Sequence, residues 1–243
     1  MTAAQGRWTY LQIGTAVRNY CSMPSTSQLS AANMLAQINR YFRWVLPSEV
    51  RPMQLQTWYA VTLTAGDADY DLKETFYETY AVLGSTAYIS ATSGYKQYNV
   101  DVYFEPSTFY ELWVDDKDYT ASANRGLPSD VLVYNNELLF RKCPSTTYYF
   151  NIEVWRRPYV YASGGSTTQS YFGDSNGDPN NSDQPEVEEW GNIIALGASK
   201  QILLEAGDDE SVQRVEGLYQ RELSKINSQT LLWLSPRRPA PKF

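Results

Sequence analysis

Ten consecutive positions, Asp174-Ser175-Asn176-Gly177-Asp178-Pro179-Asn180-Asn181-Ser182-Asp183, come nearest to a ligating constellation in this 243-residue chain. Oxygen-bearing side chains stand at the first, third, fifth, seventh and ninth places, the alternation with which a calcium loop wraps its ion. Two positions break the pattern. Pro179 sits where a glycine should allow the sharp turn, and Pro185 where a bidentate glutamate should close the shell. Asp174, Asn176 and Asp178 are a calcium candidate set against a plainer reading as a polar loop; the sequence favours the loop, and no cofactor is expected. Catalytic groups are scarcer still. The chain has no histidine, which removes the commonest general base, the usual triad and most zinc sites. It carries no dinucleotide fingerprint, phosphate loop or C-x-x-C. Asp115-Asp116 and Asp208-Asp209 lie side by side in turn-like sequence, where solvation outweighs acid–base work. Cys21 and Cys143 are too far apart in sequence to suggest a disulfide framework or a metal site. An enzyme is not expected.

Composition narrows the classes further. With 43% apolar residues the chain can bury a core, and 20 basic against 27 acidic residues argue against a nucleic-acid binder that grips phosphates. Twenty tyrosines fit a β-rich domain or a protein-binding surface. No apolar run approaches the roughly 18 residues of a membrane span, and Met1 to Arg7 lack a signal-peptide core. A soluble protein made in a cytoplasm is expected.

The elements follow from periodicity. Tyr10, Ile13, Gly14, Val17 and Cys21 form one helical stripe, and Ala31, Met34, Leu35, Ile38, Tyr41, Phe42 and Val45 form another that should end before Pro47. From Gln54 the period becomes two. Leu55, Thr57, Tyr59, Val61 and Leu63 alternate with Gln54, Gln56, Trp58, Ala60 and Thr62, and Ala65-Gly66-Asp67 should turn the chain into a return strand at Tyr70-Asp71-Leu72. Further strands are expected at Tyr80 to Leu83, Ala87 to Ala91 and Val100 to Phe104. Val131 to Tyr134 and Leu138 to Arg141 flank Asn135-Asn136, a tight hairpin. Tyr148, Phe150, Ile152 and Val154 mark one face of the clearest strand, which Arg156-Arg157-Pro158 stops.

The predicted order is an N-terminal helix pair over 1–47, an inserted β-rich, sandwich-like antiparallel domain over 48–161, a long polar loop over 162–184 that binds something or stays mobile, a helical hairpin over 185–228 and an extended arm over 229–243. The fold class is α+β, with both helix pairs forming one bundle. Pro185 and three glutamates should open the first C-terminal helix, and Gly207 should stop it. Beyond its main stripe of Val187, Trp190, Ile194, Ala198 and Ile202, that helix carries Ile193, Leu196 and Leu203. Being apolar on more than one side, it asks for a second neighbour, so Trp190, Ile193, Leu196 and Leu203 are the expected subunit-interface residues. Three prolines should keep the arm extended. It holds Leu231, Leu232, Trp233, Leu234, Arg237, Arg238, Lys242 and Phe243 and no acid, as a docking segment would.

These residues carry a resemblance. Thr64-Ala65-Gly66 leading into Tyr70-Asp71-Leu72, Gly126-Leu127-Pro128, a hairpin closing on Cys143-Pro144 and a strand ending at Arg157-Pro158 resemble the β module of tailed-bacteriophage neck proteins. Gly197-Ala198 through Ala206-Gly207-Asp208 to Leu218-Tyr219 is similar to the helices of phage head-to-tail adaptors, and Pro236 to Phe243 to their arm. The long segments around 84–125 and 162–184 depart from the smallest members. The resemblance implies a virion protein of the head–tail junction, assembled in the host bacterial cytoplasm as a homo-oligomeric ring of twelve copies. It implies docking to the portal protein through the arm and a downstream tail or nozzle protein below. DNA passes through without specific binding, and no membrane is involved. A stopper, tail terminator or tail-tube protein is the alternative within the neck. A carbohydrate- or receptor-binding surface module is the alternative outside it.

Overall fold

The computed structural model describes residues 8–51, 53–93, 95, 98–113, 121–162, 167–174 and 176–234, with backbone alone at 74, 188 and 229–234. The chain is α+β and divides into two compact units: residues 1–55 with 157–243 form one, residues 56–156 the other. A single β-rich segment is thus inserted between two helical segments that fold together.

The chain opens with α1 (Tyr10–Cys21), whose buried residues are Tyr10, Ile13, Gly14, Val17 and Cys21, the stripe read from the sequence. Thr9 caps it, with Gln12 reaching back to close a capping box. Ser30 caps α2 (Ala31–Arg40), which does not end before Pro47. It passes through a π-helical turn (Tyr41–Val45) into a last turn, α3 (Leu46–Glu49). In that turn the Leu46 amide reaches back five residues to the Tyr41 carbonyl. The widened turn relieves the clash a proline ring makes with the carbonyl four residues earlier, and the helix survives.

The inserted unit begins with β1 (Gln56–Leu63), β2 (Asp69–Asp71), α4 (Glu74–Thr79), β3 (Tyr80–Ser90), β4 (Tyr98–Tyr103) and α5 (Pro106–Leu112). It ends with β5 (Asp130–Tyr134), β6 (Glu137–Arg141) and β7 (Tyr148–Arg156). The seven strands form one sheet in the order β1-β7-β3-β4-β5-β6-β2. Strand β2 is not the return strand of β1: it pairs with β6, and β1 pairs with β7. The two segments expected at Tyr80 to Leu83 and Ala87 to Ala91 are one strand, β3, with a bulge between Leu83 and Ala87. There Gly84 lies so close to Glu153 that a Cβ would sit 2.8 Å from its carbonyl oxygen. Among the described strands only β4 and β5 pair in parallel, and the β5–β6 turn has Asn135 and Asn136 at positive φ, as expected.

Strands β6 and β7 lie four steps apart in this order, about 19 Å along a flat sheet, yet the Phe140 and Phe150 rings are 4.9 Å apart. The sheet therefore curls, and its two halves face each other over Leu63, Ile89, Val131, Leu138, Ile152 and Val154. Hydrophobic alternation drives the closure: Phe150, Ile152 and Val154 are fully buried, and their strand neighbours are half-exposed.

The chain re-enters the helical unit through β8 (Val160–Tyr161), β9 (Thr168–Gln169) and β10 (Gln184–Pro185), a small sheet in the order β10-β8-β9. A 3-10 turn (Glu188–Trp190) leads into α6 (Gly191–Ala206), and α7 (Asp209–Leu234) completes the unit. Pro185 belongs to β10 and not to the start of a helix, because Glu186 is engaged by the strand: its amide donates to the Tyr159 carbonyl and its carboxylate accepts from the Tyr159 amide. Gly207 stops α6 at φ 72°, as read, and Asp208 caps α7 by accepting from the Ser211 amide.

Candidate assembly surfaces

The central helix of the helical unit is α6, with α1, the α2 segment and α7 packed on it. The expected interface residues Trp190, Ile193, Leu196 and Leu203 are 0–1% exposed in the single chain. They are core, not interface. A helix that is apolar all round is a buried helix, and its neighbours come from the same chain: Gly197 admits the Tyr41 ring and Gly191 the Trp8 ring. Among the described residues the large apolar side chain left exposed on α6 is Leu204, and on α7 it is Leu218.

The expected arm also changes. Residues 229–234 continue α7, so Leu231, Leu232, Trp233 and Leu234 lie on a helical backbone. Proline restricts itself and the residue before it, and the first of the three is Pro236, so nothing local forbids helix up to Leu234. Arg237, Arg238, Lys242 and Phe243 lie outside the described residues, as do Asp115 and Asp116. At 1.5 Å per residue α7 is about 39 Å long and α6 about 24 Å. Since α7 is ten residues longer than α6, its last turns run past the start of α6.

The 162–184 segment is held in place where it is described. Asn39 clamps Phe172 with both amide atoms, accepting from its N–H at 2.8 Å and donating to its carbonyl at 3.0 Å. Asp183, fully buried, accepts from the Gly173 amide and from Gln169, each at 2.8 Å. Asp174, the first residue of the calcium candidate, turns its carboxylate onto its own loop and accepts from the Asn176 and Asp178 amides at 2.9 Å. Those amides hold its carboxyl below the usual carboxylate range. Among the described residues no group of three acidic or thiol side chains gathers to hold a metal.

Two polar chains cross the helical unit. Tyr41, Tyr219 and Glu49 join the α2 segment to α7 through consecutive hydrogen bonds. Lys200 of α6 and Glu216 of α7 form an ion pair at 2.6 Å, with Lys200 also 5.2 Å from the Tyr219 ring centre. Burial is the main cause pushing the Tyr41 and Tyr219 hydroxyls up. Cys21 and Cys143 are free and buried, and burial pushes both thiols up, away from the nucleophilic thiolate.

The inserted unit holds the feature that the whole-chain charge concealed. Residues 56–156 contain 14 acidic and 7 basic side chains, whereas the helical unit has 13 of each. The entire net charge of −7 therefore sits on the β unit. Counting charge by segment would have shown it. On the sheet's outer face Trp58 is 42% exposed and meets Tyr88 edge-to-face at 5.0 Å. No family's sequence profile matches the chain, and no curated protein is similar to it in sequence. No helix among the described residues is long and apolar enough to cross a membrane.

Proposed function

We propose that this protein is a head-to-tail adaptor of a tailed bacteriophage, a structural ring component that docks under the portal, extends the DNA channel and offers a platform for the tail or nozzle. The observation that carries this reading is the layout of the chain. The segments before and after an inserted β unit build one helical unit, and α7 outruns its partner helix into a basic, proline-rich terminus. That matches the architecture the resemblance implies. Segregated charge supports it as well: phosphates pass an acidic β unit without being held, while the neutral helical unit is free to make protein contacts. In this reading twelve copies close a cyclic ring through head-to-tail contacts. The terminus anchors each copy to the portal through Leu231, Trp233 and Phe243, with Arg237, Arg238 and Lys242 steering it to acidic portal surface.

Electron microscopy of the purified chain mixed with the portal protein of its own virus tests the proposal. A ring seated under the portal is expected, and a ring that binds tail but not portal points to a stopper or terminator instead. Deleting residues 229–243 should leave a folded protein, since the described core of the helical unit is built from residues up to Ile226, yet one that no longer co-sediments with portal. Retained co-sedimentation overturns the assignment of the terminus. Trp58, exposed and stacked edge-to-face on the half-buried Tyr88, favours a second reading, a carbohydrate-binding face, which a glycan screen with the soluble chain separates from the first.

A further inference from the structure

Among the described residues the curled sheet ends in two edge strands, β1 and β2, and they are unlike. Strand β2 is three residues long, carries Asp69 and Asp71 and sets Asp71 directly opposite Glu137. Short length and charge are the usual ways of blunting an edge. Strand β1 has neither protection. It is eight residues long, Gln-Thr-Trp-Tyr-Ala-Val-Thr-Leu, without a charge, a proline or a bulge, in unbroken register with β7 from Gln56↔Trp155 to Leu63↔Tyr148. Among the described residues, no backbone group of β1 has a hydrogen-bond partner outside that pairing. Every second amide and carbonyl along β1 thus faces outward at strand spacing, which is a template for one more strand.

We infer that β1 pairs antiparallel with β1 of a second copy, about a two-fold axis through Ala60. The sequence is self-complementary in that register. Ala60 meets Ala60 on the axis, Trp58 lies opposite Thr62 on the outer face, and Tyr59 lies opposite Val61 on the inner face. Aromatic against β-branched is a favourable cross-strand pair, and no like charges meet. Pairing with β2 of a neighbour would offer three residues for eight and bring two aspartates onto an uncharged edge. This pairing goes beyond the adaptor reading, because a two-fold contact cannot close a single cyclic ring. It describes the chain before it enters one, with the vulnerable edge sealed until assembly. The two β units repel, each carrying a net charge of −7, so added salt should tighten the pair.

Sedimentation velocity on the full chain without portal tests this. The wild type is expected to be a dimer that tightens as salt rises. Ala60→Lys and Ala60→Glu each set two like charges opposite one another on the axis, and each should weaken pairing by about tenfold or more. Ala60 is exposed, so neither change disturbs the core. Mixing the two variants should restore a dimer of one copy of each, an outcome that misfolded chains cannot give. A monomeric wild type, undiminished association of Ala60→Lys alone, or failure of the mixture to pair overturns the inference. None of these results bears on whether the chain forms a ring under portal, which microscopy decides separately.

Discussion

Tyr41 donates its hydroxyl hydrogen to Tyr219 across 2.9 Å, and Tyr219 donates its own to Glu49. The direction is fixed, because each phenol has one hydrogen and a carboxylate only accepts. The chain ties the π-helical turn of the α2 segment to α7, residues 178 apart in sequence.

Removing the middle of this chain should cost more than removing its end. Tyr219→Phe leaves the Tyr41 hydroxyl without its acceptor and Glu49 without its donor, a loss of about 1–3 kcal/mol. Tyr41→Phe spares the Tyr219–Glu49 bond and should cost less. Urea denaturation of the two variants checks the order, and equal costs would show that the bonds do not act in series.

Gly197 stands where a Cβ would lie 2.2 Å from the Tyr41 ring. Gly197→Ala should force the ring out of its hydrogen bond and destabilise by about 1–3 kcal/mol, although alanine is the better helix former. Thermal melting reads the sign directly, and a stabilised variant would refute the packing described.

The turn Asn135-Asn136 has φ of 50° and 65°. Asn135→Val should cost about 1–2 kcal/mol, since a β-branched residue resists the left-handed region, whereas Asn135→Gly should be close to neutral. The comparison isolates backbone conformation from hydrophobicity, and similar melting temperatures for the two variants would contradict it.

Stability should fall at both extremes of pH. At the acid end, hydrogen bonds from Lys200 and Gln220 lower the Glu216 carboxyl, and the Ser211 side chain and amide lower Asp208. The unfolded chain then binds protons more readily than the folded one, so their contribution is present above the ordinary carboxylate range and lost as pH drops through the lowered values. At the alkaline end, burial pushes Tyr10 up to about 12 and raises Tyr41 and Tyr219 as well. Their contribution is intact below the ordinary tyrosine value near 10 and is lost as pH rises through the raised ones. Absorbance at the tyrosinate band should show these three ionising only as the protein unfolds; smooth early titration of all twenty tyrosines would count against their burial.

What the sequence disclosed was set by the range of the forces involved. The α1 stripe, the alternation of β7, the Asn135-Asn136 turn and the Gly207 stop are local, and periodicity or a single backbone preference suffices for each. The π turn that carries the α2 segment past Pro47 was hidden, because a proline reads as a stop unless the preceding turn widens. The pairing of β2 with β6 depends on closing a sheet over tens of residues, which no local pattern encodes. Ile193, Leu196 and Leu203 suggested an external partner because the sequence shows that a helix is surrounded but not by what. Leu231 to Leu234 are helical despite the nearby prolines because the steric reach of Pro236 extends only to Ser235. The separation of charge between the two units was open to inspection, since a count over the sequence-derived segment 48–161 already shows 15 acidic against 9 basic side chains.

Since α1 rests on α6, with Tyr20 bonded to Asn192 from 172 positions away, the N-terminal helices leave the ribosome long before their partners exist. At ordinary translation rates the wait is on the order of ten to forty seconds. The β unit, contiguous and finished first, can fold meanwhile, so synthesis ends with a late docking of the last helices onto the first. A nascent chain whose emerged part ends anywhere between Arg156 and Tyr219 would therefore carry a finished β unit and bare apolar helices, the form that chaperones and proteases are built to catch.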